Sequence, residues 1–424
     1  MYDLIVIGGG PAGMAAALEA EKNGVASILI LERAEFLGGI LRQCIHTGFG
    51  MHYFREELTG PEYADRFVVP VEQNPRIEVK LGAMALELRP GGETHTVIAV
   101  SKSDGLLELR AKAVVLAMGC RERPRGALNI AGTRPAGIIS AGAAQKYVNM
   151  DGFLPGNEVV ILGSGDIGLI MARRMTFEGA HVKMVCELMP YSSGLTRNIV
   201  QCLDDFGIPL KLSCTVVAVH GKERLEGVTI AGVDERLKPI PGTEEEVPCD
   251  LLLLSVGLIP ENELTRGAGV PIDPATGGAI VNQNRETALP GIFSCGNVLH
   301  VHDLVDYVTL ESQLAGAGAA EYIRRKNAGE TVRAPEYVPT KAGEGVRYVV
   351  PQQAEKNEAA GVKLYFRVGG VHKNAVVRLY ANGKELARKK RPRLAPGEME
   401  HIEIAPRQLA ELPEGAELTV EILE

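Results

Sequence analysis

The 424-residue sequence predicts an α/β protein with two Rossmann-like domains and a small C-terminal, all-β, sandwich-like domain. Three observations lead to this prediction. The chain is too long for one hydrophobic core. A pattern of strand, glycine loop, helix and strand occurs twice. Residues 346–424 alternate apolar and polar side chains in short runs separated by turn residues, which is typical of antiparallel strands.

The first copy of the pattern opens the chain. Residues 3–7 (DLIVI) predict a buried parallel strand, GGGPAG follows at 8–13, and a helix extends to about Gly24. The next strand, SILIL, ends at Glu32. Such a loop brings backbone N–H groups to a pyrophosphate at the helix N-terminus, and the acid accepts hydrogen bonds from ribose hydroxyls. The predicted ligand residues of this copy are Gly8, Gly10, Pro11, Ala12, Gly13 and Glu32.

The second copy has the same parts in the same order. EVVIL at 158–162 precedes GSGDIG at 163–168, a helix reaches about Gly179, and the strand HVKMVC ends at Glu187. In both copies the acid follows the last motif glycine by the same distance (Gly13 to Glu32, Gly168 to Glu187), which makes the pattern specific. The sequence therefore predicts two bound dinucleotides, the second at Gly163, Gly165, Asp166, Ile167, Gly168 and Glu187.

The second copy also predicts which nicotinamide cofactor is used. An NADP site usually carries an arginine near the end of this strand, where a carboxylate would repel the 2′-phosphate. Here Glu187 is followed by no basic residue before Arg197. NADH is therefore favoured over NADPH.

Composition excludes several classes of protein. The net charge of −8 is opposite to the basic footprint of a nucleic-acid-binding protein. The seven cysteines contain no CxxC or CxxxxC spacing, which argues against a disulfide framework or a zinc site and fits a reducing compartment. The apolar start MYDLIVIGGG is interpreted as a strand, because it lacks a basic segment and a cleavage site. With no apolar run of membrane-spanning length, we expect a cytoplasmic protein.

The C-terminal segment carries no cluster of catalytic residue types, so docking, dimerisation or partner binding is the expected role. Its basic run RKKRPR, at 388–393, is interpreted as a solvated strand end.

Four segments in order resemble the two-dinucleotide-binding flavoproteins, the superfamily of pyridine nucleotide-disulfide oxidoreductases, over residues 1 to about 330. They are GGGPAG with Glu32, VVLAMG at 114–119, GSGDIG with Glu187, and TALPGIFSCGN at 287–297. The resemblance implies FAD at the first motif and NAD(H) at the second. It also implies a discontinuous FAD domain, 1–120 and 270–332, interrupted by an NAD(H) domain at 121–269 and followed by the β-rich domain at 335–424.

The resemblance adds further site residues. Those implied for FAD are Arg33, Gly38, Gly39, Met84, Ala117, Gly119, Gly296 and Asn297, and Gly257 is implied for NAD. Asn297 stands where the family has an aspartate, so it would bind the ribityl chain without a charge. A helix over 304–325 would point its positive N-terminus at the flavin.

Longer strings, among them GGILRQCIHTGFG and CGNVLHVHDLVD, resemble flavoprotein subunits associated with bacterial glycerol-3-phosphate dehydrogenases and opine or amino-acid oxidising complexes. This likeness implies hydride transfer between NAD(H) and FAD, with electrons passed to or from a partner flavoprotein, in particular a glycerol-3-phosphate dehydrogenase. A small cysteine-containing redox protein is a further implied partner, and a homo-oligomer stays open.

The loop GGILRQCIHTGFG, at 38–50, contains the candidate catalytic residues Cys44 and His46. Disulfide reductases of this superfamily place two cysteines where Leu41 and His46 stand, or a CxxC at a position corresponding to 139–145, and both places lack them. Two alternatives to the partner hypothesis therefore stay open. One is a stand-alone NADH oxidase, peroxidase or persulfide-type reductase that uses Cys44, its pKa lowered by Arg42 and His46. The other is an assembly protein with structural FAD.

The segment HVHD contains His300 and His302. Only two imidazoles are close in sequence and no further ligand completes a set, so no metal is predicted. With His46, they are instead candidates to line the flavin.

Overall fold

A computed structural model describes residues 1–330, 335–356 and 360–423. The chain forms two compact units, unit 1 from Met1–Cys120 and Pro260–Glu424, and unit 2 from Arg121–Ile259. The sequence-based division extended the NAD(H) domain to residue 269, whereas residues from Pro260 onward belong to unit 1. The predicted end of the FAD domain at residue 332 lies outside the described residues.

The N-terminal part of unit 1 builds the first Rossmann-like half. Its elements are β1 (Tyr2–Ile7), α1 (Pro11–Lys22), β2 (Ile28–Leu31), β3 (Thr47–Phe49), β4 (Leu58–Thr59), α2 (Gly60–Gln73), β5 (Ile77–Lys80), β6 (Ala83–Arg89), β7 (His95–Ser101) and β8 (Gly105–Leu116). The strands follow the order β5-β2-β1-β8-β7-β6. The pairs from β5 to β8 are parallel, and β8, β7 and β6 form an antiparallel meander. The apolar strands β1 and β2 are buried on both faces, as strands covered by helices require.

Unit 2 contains a parallel sheet and a smaller antiparallel one. Its elements, counting the strands that begin or end at the boundary residues Cys120 and Pro260, are β9 (Cys120–Glu122), β10 (Ala131–Gly132), β11 (Ile138–Ser140), α3 (Ala141–Lys146), β12 (Glu158–Leu162), α4 (Asp166–Phe177), β13 (His181–Cys186), α5 (Thr196–Cys202), β14 (Leu210–Lys211), β15 (Cys214–His220), β16 (Gly227–Gly232), β17 (Glu245–Pro248), β18 (Leu251–Leu254) and β19 (Leu258–Pro260). The parallel sheet has the order β11-β18-β12-β13-β14, and the second sheet has the order β10-β15-β16-β17. The predicted strands at 158–162 and 181–186 are found with these bounds.

The chain then returns to unit 1. The returning elements are α6 (Glu263–Gly267), β20 (Ile292–Ser294) and α7 (Val305–Ala328). Strand β20 pairs in parallel with β8 as the seventh strand of the first sheet, and α7 packs against the alanine-rich α1. The helix expected over 304–325 is therefore found, beginning at Val305.

The C-terminal part of unit 1 is a β-sandwich, as the alternating pattern predicted. It contains β21 (Tyr337–Ala342), β22 (Val346–Val350), β23 (Gln353–Glu355), β24 (Val362–Val368), β25 (His372–Ala381), β26 (Lys384–Leu394), β27 (Glu400–Ile404), α8 (Pro406–Ala410) and β28 (Leu418–Leu423). The sheets β23-β21-β28-β25-β26 and β22-β24-β27 share one core. The basic run lies on β26, an edge strand, where lysine, arginine and proline discourage further strand pairing. The predicted fold class is confirmed.

None of the helices in the described residues combines the length and apolarity that crossing a bilayer requires.

Candidate functional site

The first predicted dinucleotide site lies at the carboxyl end of β1, in unit 1. We call it the first cradle, and it consists of the glycine loop at 8–13, the start of α1 and Glu32. Gly8 has a φ of 113° and donates its N–H to the carbonyl of Leu31 at 2.8 Å. A Cβ at Gly8 would lie 2.3 Å from the carbonyl oxygen of Ala117, so only glycine fits. Helix α1 then begins after Gly10 without a side-chain cap, so no capping side chain competes with a phosphate for its first N–H groups.

Glu32 completes this cradle. Its Oε2 accepts the N–H of Gly9 and its Oε1 accepts the N–H of Ala34, both at 2.7 Å. The N–H of Ala83 donates to the Glu32 carbonyl at 2.9 Å, which fixes the backbone of the acid. The carboxylate is buried beside the glycine loop, where a ribose would meet it.

The second cradle, in unit 2, repeats this construction. Gly163 has a φ of 96° and donates to the carbonyl of Cys186 at 2.7 Å, and its added Cβ would lie 2.1 Å from the carbonyl oxygen of Ser255. Helix α4 begins after Gly165, again without a side-chain cap.

Glu187 has the same hydrogen bonds as Glu32. Its Oε2 accepts the N–H of Ser164 at 2.9 Å and the Ser164 hydroxyl at 2.5 Å, and its Oε1 accepts the N–H of Met189 at 2.9 Å. The N–H of Cys214 donates to the Glu187 carbonyl at 2.9 Å. Both cradles therefore fit the pyrophosphate and ribose of a dinucleotide.

The remaining residues predicted for FAD have different surroundings. Gly38 donates its N–H to the Gly9 carbonyl at 2.9 Å, and Gly39 approaches Gly10 closely. Arg33 is ion-paired with Glu261 at 3.2 Å. The side chain of Met84 is half exposed on β6, and the neighbouring Ala83, which sequence reasoning missed, is the residue bonded to Glu32.

Two residues predicted for NAD have structural partners of their own. The Oδ1 of Asp166 accepts the N–H of Leu195 at 2.8 Å and the Nδ2–H of Asn198 at 2.6 Å. These bonds connect the start of α4 to the start of α5. The carbonyl of Gly257 accepts the N–H of Arg123 at 3.0 Å.

Cys44 is a buried thiol at the end of a short 3₁₀ turn, Gly39–Gln43. Its Sγ donates to the Ile40 carbonyl at 3.3 Å, and its own carbonyl accepts the N–H of Gly60 at 2.8 Å. Burial raises the pKa of Cys44 to about 12, so the thiol is protonated at neutral pH.

Both neighbours that were expected to lower the pKa of Cys44 have polar partners of their own. Arg42 donates to the Leu37 carbonyl at 2.9 Å and to Asp65 at 2.8 Å. The half-buried His46 has its Nδ1 3.0 Å from the Thr47 carbonyl, and its ring packs against Phe49. The loop is better described as a support for the glycine loop at Gly9. A catalytic role for Cys44 and His46 stays a prediction.

Asn297 is held on both sides of its amide. Its Oδ1 accepts the N–H of His302 at 3.0 Å, and its Nδ2 lies 3.6 Å from the Sγ of Cys120. The amide therefore orders the segment that leads into α7.

A buried cluster around Glu311 of α7 lies next to this segment. The Oε1 of Glu311 accepts hydrogen bonds from Arg285 Nε at 3.0 Å and His300 Nε2 at 2.8 Å. Its Oε2 accepts the N–H of Gly296 at 3.0 Å and lies 3.4 Å from His302 Nε2. All four side chains are about 1% exposed. One carboxylate thus holds the backbone of a predicted FAD residue.

The cluster pairs the Arg285 guanidinium with the Glu311 carboxylate. Burial would raise the pKa of Glu311, but His300, His302 and Arg285 hold it below its usual value. Burial and the neighbouring His300 lower the pKa of His302 to about 3, so this imidazole is neutral at pH 7.

The same cluster corrects the expectation that no further ligand joins the two histidines. Donor atoms of His300, His302 and Glu311 all lie within 4.8 Å of one another. However, Arg285 donates to the same carboxylate, and a divalent cation beside a buried guanidinium would add uncompensated charge to a dry interior. We therefore keep the prediction that no metal binds here.

The C-terminal sandwich covers the cluster from within unit 1. Tyr365 lies over the Arg285 guanidinium at 5.9 Å, and Tyr348 meets His300 edge-on at 5.9 Å. Arg367 donates to the Val301 carbonyl at 3.0 Å. The sandwich thus buttresses the predicted FAD segment, a role that its strand pattern did not reveal.

Two cradles for dinucleotides on one chain define an oxidoreductase that combines two nucleotide cofactors. The chain belongs to the pyridine nucleotide-disulphide oxidoreductase family, whose model matches residues 2–320. Members of this family are flavoenzymes that use FAD and NAD(P)H.

Relatives of known name show how far the similarity extends. An opine oxidase subunit from Agrobacterium tumefaciens is 27% identical over 284 residues, which cover 63% of this chain and 54% of the relative, so the chain spans about half of that protein. Thioredoxin reductase from Listeria monocytogenes is 27% identical over 328 residues, or 76% of this chain and 94% of the relative. The thioredoxin reductase structure from Lactococcus lactis superposes with a TM-score of 0.62 at 20% identity, covering 78% of this chain and all of that one, which supports the fold.

Proposed function

We propose that this chain binds FAD at the first cradle and NADH at the second, transfers hydride between them, and exchanges electrons with a partner flavoprotein. The observation that carries the proposal is the pairing of two equivalent cradles on one chain. The carboxylates of Glu32 and Glu187 each accept a hydrogen bond from the backbone N–H of the second residue of their glycine loop. Each also accepts one from the backbone N–H two positions after the glutamate itself.

The protein groups have distinct tasks in this proposal. The N-terminal N–H groups of α1 and α4 would bind the two pyrophosphates, and Glu32 and Glu187 would orient the ribose of each nucleotide. Glu187 would also repel a 2′-phosphate, which selects NADH over NADPH. Bound FAD supplies the hydride chemistry, and the chain supplies position and electrostatics.

A partner is proposed because the chain lacks a dithiol of its own at either position known in the superfamily. Leu41 and His46 occupy one position, and residues 139–145 contain no cysteine. Cys44 is poorly suited to replace such a dithiol, since thiol–disulfide exchange requires a thiolate and a resolving thiol. One relative is named as part of an oxidase with more than one kind of chain, which supports an assembly. The likeness of the longer strings favours a partner of the glycerol-3-phosphate dehydrogenase type, with a small cysteine-containing protein as a further component.

Anaerobic reduction tests the core of the proposal. FAD-loaded protein is mixed with NADH without oxygen, and the flavin absorbance is followed. We expect rapid bleaching with NADH, slower bleaching with NADPH, and none in a Gly163→Ala variant that still holds FAD. Retention of the flavin colour in the wild type with both nucleotides would contradict the proposal and favour an assembly protein with structural FAD.

The partner is tested by coupled turnover. A glycerol-3-phosphate-oxidising flavoprotein is mixed with this chain, NAD⁺ and glycerol 3-phosphate, and NADH formation is recorded. We expect formation only with both proteins present. Bleaching by NADH without coupled turnover would reject this partner while leaving the core activity intact.

A further inference from the structure

The two cradles differ in the side chains beneath the acid. In the first, the residue before the acid is Leu31, and the residue whose N–H binds the acid's carbonyl is Ala83. In the second, the equivalent residues are Cys186 and Cys214. The equivalence is set by the backbone, because Gly8 and Gly163 each donate to the residue before the acid. An apolar pair in one copy is therefore a pair of thiols in the other.

The two cysteines are neighbours in the fold. Cys186 ends β13 and Cys214 begins β15, so they join the parallel sheet of unit 2 to its antiparallel sheet. Both belong to one buried core, with Cys186 fully buried and Cys214 6% exposed. The backbone brings them together, because the Cys214 N–H donates at 2.9 Å to the carbonyl of Glu187, the residue after Cys186. Residues 28 apart in sequence thus form a dithiol that no CxxC spacing would disclose.

The two thiols are chemically unequal. Interaction with the Cys186 thiol lowers the pKa of Cys214, and the nearby Lys211 ammonium acts in the same direction. The same interaction, together with burial, raises the pKa of Cys186. Such polarisation is how a dithiol produces one nucleophile and one resolving thiol. By contrast, burial raises the pKa of Cys44, Cys249 and Cys295, so these thiols are poor nucleophiles.

We propose that Cys186 and Cys214 form a reversible disulfide when the protein meets a peroxide, and that this disulfide weakens nucleotide binding at the Glu187 cradle. Cys214 attacks one peroxide oxygen, and the O–O bond breaks to give a sulfenic acid and water. The thiol of Cys186 then attacks Cys214 Sγ, the S–O bond breaks, and a second water leaves. The dithiol loses two electrons and two protons, and one hydrogen peroxide becomes two water molecules.

The effect on the cradle follows from the backbone of the two residues. A disulfide brings the sulfurs to about 2.05 Å, closer than two sulfurs can approach without a covalent bond. Cys186 must follow, and its carbonyl holds Gly163 while its peptide bond leads directly to Glu187. The Cys214 N–H holds the Glu187 carbonyl. Both backbone groups that position Glu187 therefore move. This part of the proposal rests on the proposed function, in which NADH binds at the second cradle.

Peptide mapping tests the disulfide independently of NADH. FAD-loaded protein is treated with hydrogen peroxide, alkylated under denaturing conditions and digested. We expect a 186–214 cross-linked peptide that disappears after treatment with dithiothreitol. The first copy supplies the matched control substitutions. Cys186→Leu should leave Cys214 as a sulfenic acid that dimedone traps, and Cys214→Ala should leave no product at this pair.

Nucleotide binding tests the consequence. NADH binding is measured by calorimetry before and after peroxide, and again after dithiothreitol. We expect the Kd to rise about tenfold on oxidation, equivalent to losing about 1.4 kcal/mol, and to recover on reduction. Peroxide-treated wild type without the cross-linked peptide would overturn the proposal, and so would a cross-link that leaves the NADH Kd unchanged. An absence of NADH binding before peroxide would instead count against the proposed function.

Discussion

The two dinucleotide cradles share a backbone and differ in what is packed around it. In both, the first motif glycine packs so closely against a backbone carbonyl that no side chain fits. In both, a glutamate accepts a hydrogen bond from the second residue of the glycine loop. The predicted FAD segment is additionally held by the buried Glu311 cluster under the C-terminal sandwich. The second cradle instead has a thiol pair beneath its glutamate. The two proposed nucleotide sites thus share a repeated backbone design, and the side chains behind it make them different.

The largest expected effects come from the two equivalent glycines. An alanine at Gly8 or Gly163 places Cβ within 2.3 or 2.1 Å of a carbonyl oxygen at a positive φ. We expect Gly8→Ala to lose FAD and Gly163→Ala to keep FAD but lose NADH binding. The measurements are flavin per chain after gel filtration and NADH binding by calorimetry. If both variants retained both nucleotides, the cradles would not be where we place them.

Removal of the Glu311 charge should destabilise the FAD side. Glu311→Gln leaves the Arg285 guanidinium buried without its anion, which typically costs about 3–5 kcal/mol. We expect a lower free energy of unfolding and weaker FAD retention. Glu321→Gln is the matched control on the same helix, where the exposed ion pairs contribute at most about 1 kcal/mol. Equal stability of the two variants would contradict the role assigned to Glu311.

The same cluster predicts a loss of stability in acid. The pKa of His302 falls from its usual 6.5 to about 3 on folding, so the unfolded chain binds more protons over this interval. The titration of His302 therefore reduces the free energy of unfolding as the pH falls from about 6.5 to about 3. Below about 3 it causes no further loss. Urea melts at several pH values should show a shallower decline for His302→Gln than for the wild type. Parallel curves would argue against this titration.

These examples show what could be predicted from the sequence. The glycine loops, their strands and both acids were predictable because each motif is local and has a fixed spacing. Arg285 and Glu311 are 26 residues apart and lie on separate elements, so only the fold brings them together. An acid within the small-residue run ESQLAGAGAA was the signal available for Glu311. Met84 stays a predicted FAD residue, and the bond from the neighbouring Ala83 to the Glu32 carbonyl was not predicted because it depends on strand register.

A smaller effect is expected from Glu187→Gln. The amide keeps one acceptor but brings an N–H₂ group towards a backbone N–H that the carboxylate now accepts. Loss of a charge-assisted bond is worth about 1.5–3 kcal/mol, so the NADH Kd should rise at least about tenfold. Calorimetry with NADH and NADPH should also show a narrower preference for NADH. An unchanged preference for NADH over NADPH would show that Glu187 does not cause it.

The smallest effect is expected from Cys44→Ser. Because burial raises the pKa of this thiol to about 12, the wild type contains almost no thiolate to lose. Stopped-flow reduction of the flavin by NADH should stay within about twofold of wild type. A loss of NADH-driven peroxide turnover in the variant would instead support the peroxidase alternative.

Binding stoichiometry tests most directly whether one chain holds two different dinucleotides. After gel filtration, flavin is counted per chain, and NADH is then titrated into the loaded protein in a calorimeter without oxygen. We predict one FAD and one NADH per chain, with only the NADH lost in Gly163→Ala. FAD-loaded protein that binds no NADH, or that binds it equally well after Gly163→Ala, would contradict the two-cradle assignment.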